Sequence, residues 1–111
     1  MNLEITEAEI KILDDARAAF GGEDAGCRII IEECSEAIKV LIKRERIKAG
    51  ELDETALNNR MAIQEELADL MVVLAQGMRM FGAGVIEEHA QRKVDRLAQR
   101  VAEAKERKDN S

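Results

Sequence analysis

The chain has 111 residues, 46% hydrophobic and 36% charged, which suits one domain that forms a small core and stays in solution. Pro, Trp and Tyr are absent and only two Phe occur. A composition this rich in Ala, Leu, Ile, Glu, Lys and Arg favours helix over sheet. The net charge of −6 argues against a nucleic-acid binder, which carries a basic balance, and no apolar run reaches the length of a membrane span.

In chain order, Thr6 with Glu9 forms an S/T-x-x-E start signal, and Ile10, Leu13, Ala16 and Phe20 recur on one helical stripe. Gly21-Gly22 stops this first helix. A second helix begins at about Asp24 and runs to about Lys48, where Ala49-Gly50 closes it. Asp53 or Thr55 opens a third, which continues to about Phe81 with Ile63, Leu67, Leu70, Leu74, Met78 and Phe81 as its seam. Gly82-Ala83-Gly84 is the next turn. The fourth helix starts at about Val85, with Ile86, Ala90, Val94, Leu97, Val101 and Ala104 along its seam. The expected fold is all-α: one domain over 1–111, a bundle of about four helices with its core at 6–105 and a frayed polar tail at 106–111. So small a core makes assembly with other copies an expectation in its own right.

Two stretches carry chemistry. Ile29–Ile42 (IIIEECSEAIKVLI) and Gln64–Leu74 (QEELADLMVVL) are apolar helices with carboxylates inside them. At about 100° per residue, Glu33 and Glu36 fall on the edge of the apolar face of the second helix, while Glu32 lies further round with Lys39 and Lys43. On the third helix Glu66 and Asp69 share an arc with Ala62, Val73 and Met80, and Glu65 lies on another arc with Val72 and Arg79. Carboxylates converging in an apolar interior repel one another. Protonation, a Lys or Arg partner, or a bound cation relieves this. All-oxygen ligands select a hard ion, Mg2+ first and Mn2+ second. A di-iron centre would need Glu-x-x-His on two helices, and the one histidine, His89, has Ile86 three residues before it. The competing reading is a solvated acidic face paired with Lys39, Lys43 or Arg46.

On the fourth helix His89, Lys93, Arg96 and Arg100 flank the seam. A Lys93–Arg96 pair bordering the core beside a divalent ion suits the neutralisation of phosphate oxygens. GGEDAG and GAG match neither a P-loop nor a dinucleotide motif. Cys27 and Cys34 lie on one helix roughly 10 Å apart along its axis, beyond disulfide reach, and read as reduced structural thiols. Met1–Lys11 contains no apolar signal core, which makes the cytoplasm the expected compartment.

Glu32-Glu33-Cys34-Ser35-Glu36 followed by Glu66-Leu67-Ala68-Asp69 resembles the EExxE…ExxD signature of the MazG-like all-α nucleoside triphosphate pyrophosphatases, relatives of the dimeric dUTPases and of phosphoribosyl-ATP pyrophosphatase. Lys93-Val94-Asp95-Arg96 is similar to that family's basic segment. The resemblance spans about Ile29 to Leu97. It implies Glu33, Glu36, Glu66 and Asp69 as Mg2+ ligands, and a homodimer or homotetramer. It also implies cleavage of a nucleotide substrate between its α- and β-phosphates, giving a nucleoside monophosphate and pyrophosphate. In that scheme Lys93 and Arg96 hold substrate phosphates, and Glu32 serves as the catalytic base or supports the ligands from behind. The chain departs from the family in its long polar spacer (KRERIKAGELDETALNNR) and in lacking the tryptophan-containing N-terminal segment of many members, so the base that is recognised stays open. A different class of function fits the same helices: a non-enzymatic module for oligomerisation or partner binding.

Overall fold

In the computed structural model, which describes residues 6–111, the protein is all-helical: α1 (Glu7–Ala19), α2 (Gly22–Lys48), α3 (Ala56–Phe81) and α4 (Ala83–Asp109), with no strand among the described residues. The first five residues of the segment read for a signal sequence lie outside the described part. The chain divides into two compact units, Met1–Met80 and Phe81–Ser111.

In the first unit each helix end is set by local chemistry. Thr6 Oγ1 accepts the Glu9 N–H at 3.2 Å and its hydroxyl donates to Glu9 Oε1 at 2.9 Å. The cap anticipated from the sequence therefore forms, closed through the Glu9 side chain. Gly21, at φ +107°, makes the turn, and α2 starts at Gly22, ahead of the Asp24 start. At the far end of α2, Gly50 N–H reaches Ile47 O at 3.0 Å and Glu51 N–H reaches Arg46 O at 2.9 Å, with Gly50 at φ +76°. These two bonds are a Schellman closure, which needs a residue in the left-handed region. Of the two candidate starts for α3, Thr55 is the one used: its Oγ1 accepts the Asn58 N–H at 3.1 Å.

α2 and α3 run antiparallel, and small residues let them approach closely. A Cβ built on Gly26 would lie 2.7 Å from Met80 Sδ, and one on Gly77 would lie 2.9 Å from Ile30 Cδ1. At the other end of the pair Asn59 Nδ2 donates to the Val40 carbonyl at 3.2 Å. Ala37, Asn59, Val73, Ala75 and Gly77 are buried. This shifts the inner face of α3 away from the leucine seam read from the sequence. Leu67, Leu74 and Phe81 are exposed, whereas Ile63, Leu70 and Met78 are half-buried. The reason is steric: the face with Gly77 admits α2, and a leucine face would hold it further off, while Ala75 lies on the opposite side of α3, in the wall shared with α1. α1 is tied to α3 by Arg79, whose guanidinium donates to Asp14 at 3.2 Å. Ile10, Leu13 and Ala16 are half-buried, but Phe20 is exposed.

Burial in this unit is shallow, and no large side chain is fully buried. Ile12, Ile31, Ile38, Ile42, Leu57, Met61, Met71 and Val72 all stand exposed. A cavity of about 400 Å³ between α1 and α3 is walled by Ile12, Leu13, Met71 and Val72.

The second unit, taken by itself, is essentially the helix α4. It has no buried residue, and Val94, Leu97 and Val101 form an uncovered stripe. α4 begins at Ala83 and continues to Asp109, through most of the tail expected to fray. That tail lacks Gly and Pro, and its last turn carries Arg107 and Lys108, cations that favour a helix C-terminus.

The close approach at Gly77 is testable. Gly77→Leu should destabilise the first unit by about 1–3 kcal/mol through overpacking against Ile30. Gly84→Ala, where nothing lies within 4 Å of the added Cβ, should be neutral or stabilising. Urea unfolding of both variants measures the contrast, and equal stabilities would refute the packing described.

Candidate metal centre

Glu33 leaves α2 on the side that faces α3, half-buried. Glu66 and Asp69 leave α3 one turn apart, the first half-buried and the second exposed. One carboxylate oxygen from each of Glu33, Glu66 and Asp69 lies within 4.8 Å of the others. The helix geometry explains the convergence: Asn59, Glu66, Val73 and Gly77 repeat on one arc, and that arc is the one that meets α2.

Three of the four expected ligands are thus together. Glu36 is not in the cluster; it is exposed and accepts a hydrogen bond from Lys39 Nζ at 3.3 Å. Its position one turn along α2 keeps its charge within reach of Glu33, but its side chain turns to the nearby cation. Glu32 is exposed on the polar side of α2, and Glu65 is exposed on α3. Lys93 and Arg96 are exposed on α4, one turn apart, in the second unit. His89 bonds to Arg92 through its Nδ1.

The cations that could have neutralised the cluster are engaged elsewhere. Lys39 pairs with Glu36, Lys43 with Glu54 at 3.2 Å, and Arg46 with Glu51 at 3.3 Å. Among the described residues none pairs with Glu33, Glu66 or Asp69. The Glu33 carboxyl is consequently pushed above its ordinary value, first by desolvation and then by the charges of Asp69, Glu66, Glu36 and Glu32.

The donor set fits a hard divalent cation. Octahedral Mg2+ holds oxygens at about 2.0–2.1 Å, so ligands on opposite sides are roughly 4.2 Å apart. A 4.8 Å spread comes within that range by small side-chain rotations. Carboxylates alone, without His or Cys, disfavour zinc.

No family model matches the chain, and neither does any curated protein or solved structure.

A residue overlooked in the sequence is Asn59, only 2% exposed and the one buried polar side chain among the described residues. Its place on the arc of Glu66 and Val73 was the available signal, masked by the polar spacer around it.

The sign of the Glu33 shift sets a pH dependence for the metal-free protein. Because its folded pKa is raised, the folded state holds the proton more tightly than the unfolded chain. The cost of the charge is fully present above the folded value, and it is relieved as pH falls through that value towards the unfolded one. Asp14, lowered by the Arg79 hydrogen bond, does the reverse: its contribution is present above the ordinary aspartate value and fades below it. In EDTA, Glu33→Gln should therefore be more stable than the parent at neutral pH, with the difference shrinking on acidification through the carboxylate range. Urea unfolding across pH reads this, and a pH-independent difference would refute the uncompensated cluster.

Proposed function

We propose that the chain is a Mg2+-dependent nucleotide pyrophosphohydrolase of the MazG-like kind, cleaving a nucleoside triphosphate between its α- and β-phosphates. The observation that carries this reading is the convergence of Glu33, Glu66 and Asp69 within 4.8 Å with no cation partner among the described residues. A binding module has no need of three facing carboxylates on the inner side of a helix pair, whereas phosphoanhydride chemistry does. The residues that would hold the ion are Glu33, Glu66 and Asp69, joined by Glu36 on release from Lys39. When bound, a divalent ion neutralises phosphate charge and acidifies water.

The chain's own residues supply the rest. Glu32, on the outer side of Glu33, is the group assigned to accept a proton from water or to orient the ligands. Lys93 and Arg96 take phosphate oxygens, Arg96 by its planar fork and Lys93 as a point charge. Assembly into a homodimer or homotetramer, and with it a bundle, belongs to the same proposal. The exposed Ile31, Ile38, Ile42, Met71 and Val72 of the first unit support it, since each such side chain gains roughly 1.5–3 kcal/mol when fully covered. Those faces also favour the second reading, a helical module without catalysis. A cytoplasmic location accords with both. Among the described residues no single helix is long and apolar enough to cross a membrane.

A panel of nucleoside triphosphates assayed for pyrophosphate release in Mg2+ tests the activity. Glu33→Gln and Asp69→Asn should each lower turnover by about 100-fold or more while remaining folded. Glu65→Gln should leave turnover close to the parent. Millimolar Mg2+ should raise the melting temperature, by mass action on the folded state. No release from any nucleotide together with no Mg2+ shift would overturn the enzyme reading in favour of the module.

The cations are tested separately. Lys93→Ala and Arg96→Ala should weaken turnover and leave Mg2+ binding without nucleotide nearly unchanged. Tighter Mg2+ binding with unchanged KM and kcat would refute the phosphate role. Light scattering should give a dimer or tetramer, and a monomer at micromolar concentration would refute the assembly.

A further inference from the structure

Where α2 ends and α3 begins, a second cavity of about 450 Å³ opens, within the size range of small-molecule sites. Its wall carries Arg44, Lys48 and Arg60, and no carboxylate. That is unexpected in a chain of net charge −6 with 23 acidic residues. The neighbouring cations Lys39, Lys43 and Arg46 each have an acidic partner, but Lys48 and Arg60 have none among the described residues. Arg44 pairs with its chain neighbour Glu45 at 3.4 Å, both exposed, an arrangement worth little in water. Lys48 sits in the last turn of α2, where the helix dipole favours a cation. Arg60 has no such reason, because it stands near the positive end of α3, whose first turn contains no acid.

The remaining lining is of two kinds. Leu57 and Ile63 offer an apolar surface, and Leu57 is 65% exposed beside the charges. Asn59, almost wholly buried, also lines the cavity. A carbonyl can only accept, so the 3.2 Å bond to Val40 O identifies the amide nitrogen as its donor. The Asn59 carbonyl oxygen has no protein donor among the described residues and stays accessible, free to accept a hydrogen bond.

We infer that this cavity binds a phosphate-bearing small molecule with an apolar ring. Arg44, Lys48 and Arg60 take the phosphate, Leu57 and Ile63 the ring, and Asn59 accepts a hydrogen bond from ligand or solvent. The cavity lies on a stretch of α2 and α3 separate from Glu33 and Asp69, and it needs no metal, so the inference does not rest on the pyrophosphatase reading.

The test is isothermal titration of phenyl phosphate, and separately of inorganic phosphate, into the full chain in EDTA. Phenyl phosphate should bind saturably at one site per chain, and more tightly than inorganic phosphate. Lys48→Ala and Arg60→Ala, both exposed and tolerant of truncation, should each weaken it about fivefold or more, the loss of one charge-assisted bond. Lys105→Ala on α4 and Glu33→Gln should leave binding unchanged. Amide chemical-shift changes should centre on Arg60 and the Asn59 side chain. No saturable binding, equal affinity for the two phosphates, or equal weakening by Lys105→Ala and Arg60→Ala would each overturn the inference. Retained binding in the absence of pyrophosphate-releasing activity would leave it standing alone.

Discussion

The contact between α2 and α3 runs through glycine on both helices. At Gly26 and Gly77 the partner helix presents Met80 and Ile30 at separations that no Cβ tolerates without a shift. Glu33 on one helix and Glu66 and Asp69 on the other sit between those contacts and the Asn59–Val40 bond, so the same approach brings three anions together. Larger side chains at the glycines would displace the Met80 and Ile30 side chains that fill this contact. Packing and electrostatics are thus opposed in this pair: the contact that buries Ala37 and Val73 is also the one that raises the Glu33 pKa. A fold that accepts such a conflict keeps it for function or corrects it elsewhere, and here no Lys or Arg among the described residues corrects it.

Much of this was legible in the sequence. Thr6 with Glu9, Thr55, and Ala49-Gly50 mark helix ends because caps and left-handed closures depend on few residue types. Glu33, Glu66 and Asp69 share the arcs on which α2 and α3 meet, and Glu65 does not. Glu36 turns to Lys39 instead, because a helical arc gives direction but not the choice of a long side chain between a cluster and a cation one turn away. The face of α3 that meets α2 was less legible. Counting Leu67, Leu74 and Phe81 rewards hydrophobicity, whereas the helix contact was decided by the smallest residues, whose packing value no hydropathy scale registers. The helix runs on into the polar tail to Asp109, where Arg107 and Lys108 suit a helix end.

The first unit leaves a large apolar area uncovered for its size. Its buried residues are mostly small, namely Ala37, Val73, Ala75 and Gly77, and its larger ones lie outside. Hydrophobic stabilisation scales with the area removed from water, so this arrangement gains little from its own core and offers more to a second surface. α4 taken alone is in the same position, since a single amphipathic helix cannot cover its own stripe of Val94, Leu97 and Val101. These two facts weigh on the same side of the assembly proposal.

Charge is sorted along the α2–α3 pair. Carboxylates without cations occupy the middle of the contact, and towards its end Lys48 and Arg60 stand without a carboxylate partner among the described residues. Random placement of acids and bases on exposed helices produces i,i+3 and i,i+4 pairs, as at Lys11–Asp15 and Glu36–Lys39, and these neutralise one another locally. Segregation forgoes that small stabilisation in both places and leaves two fields of opposite sign close along the same helices. A ligand with a single charge would meet only one of them. Interaction with both requires either a cation and an anion bound separately, or an anion whose charge is shared with a cation at the acidic end. A phosphate held at Lys48 and Arg60 without metal, with a divalent ion held apart at Glu33, Glu66 and Asp69, is of the first kind, and it satisfies both fields without requiring the two places to share a ligand.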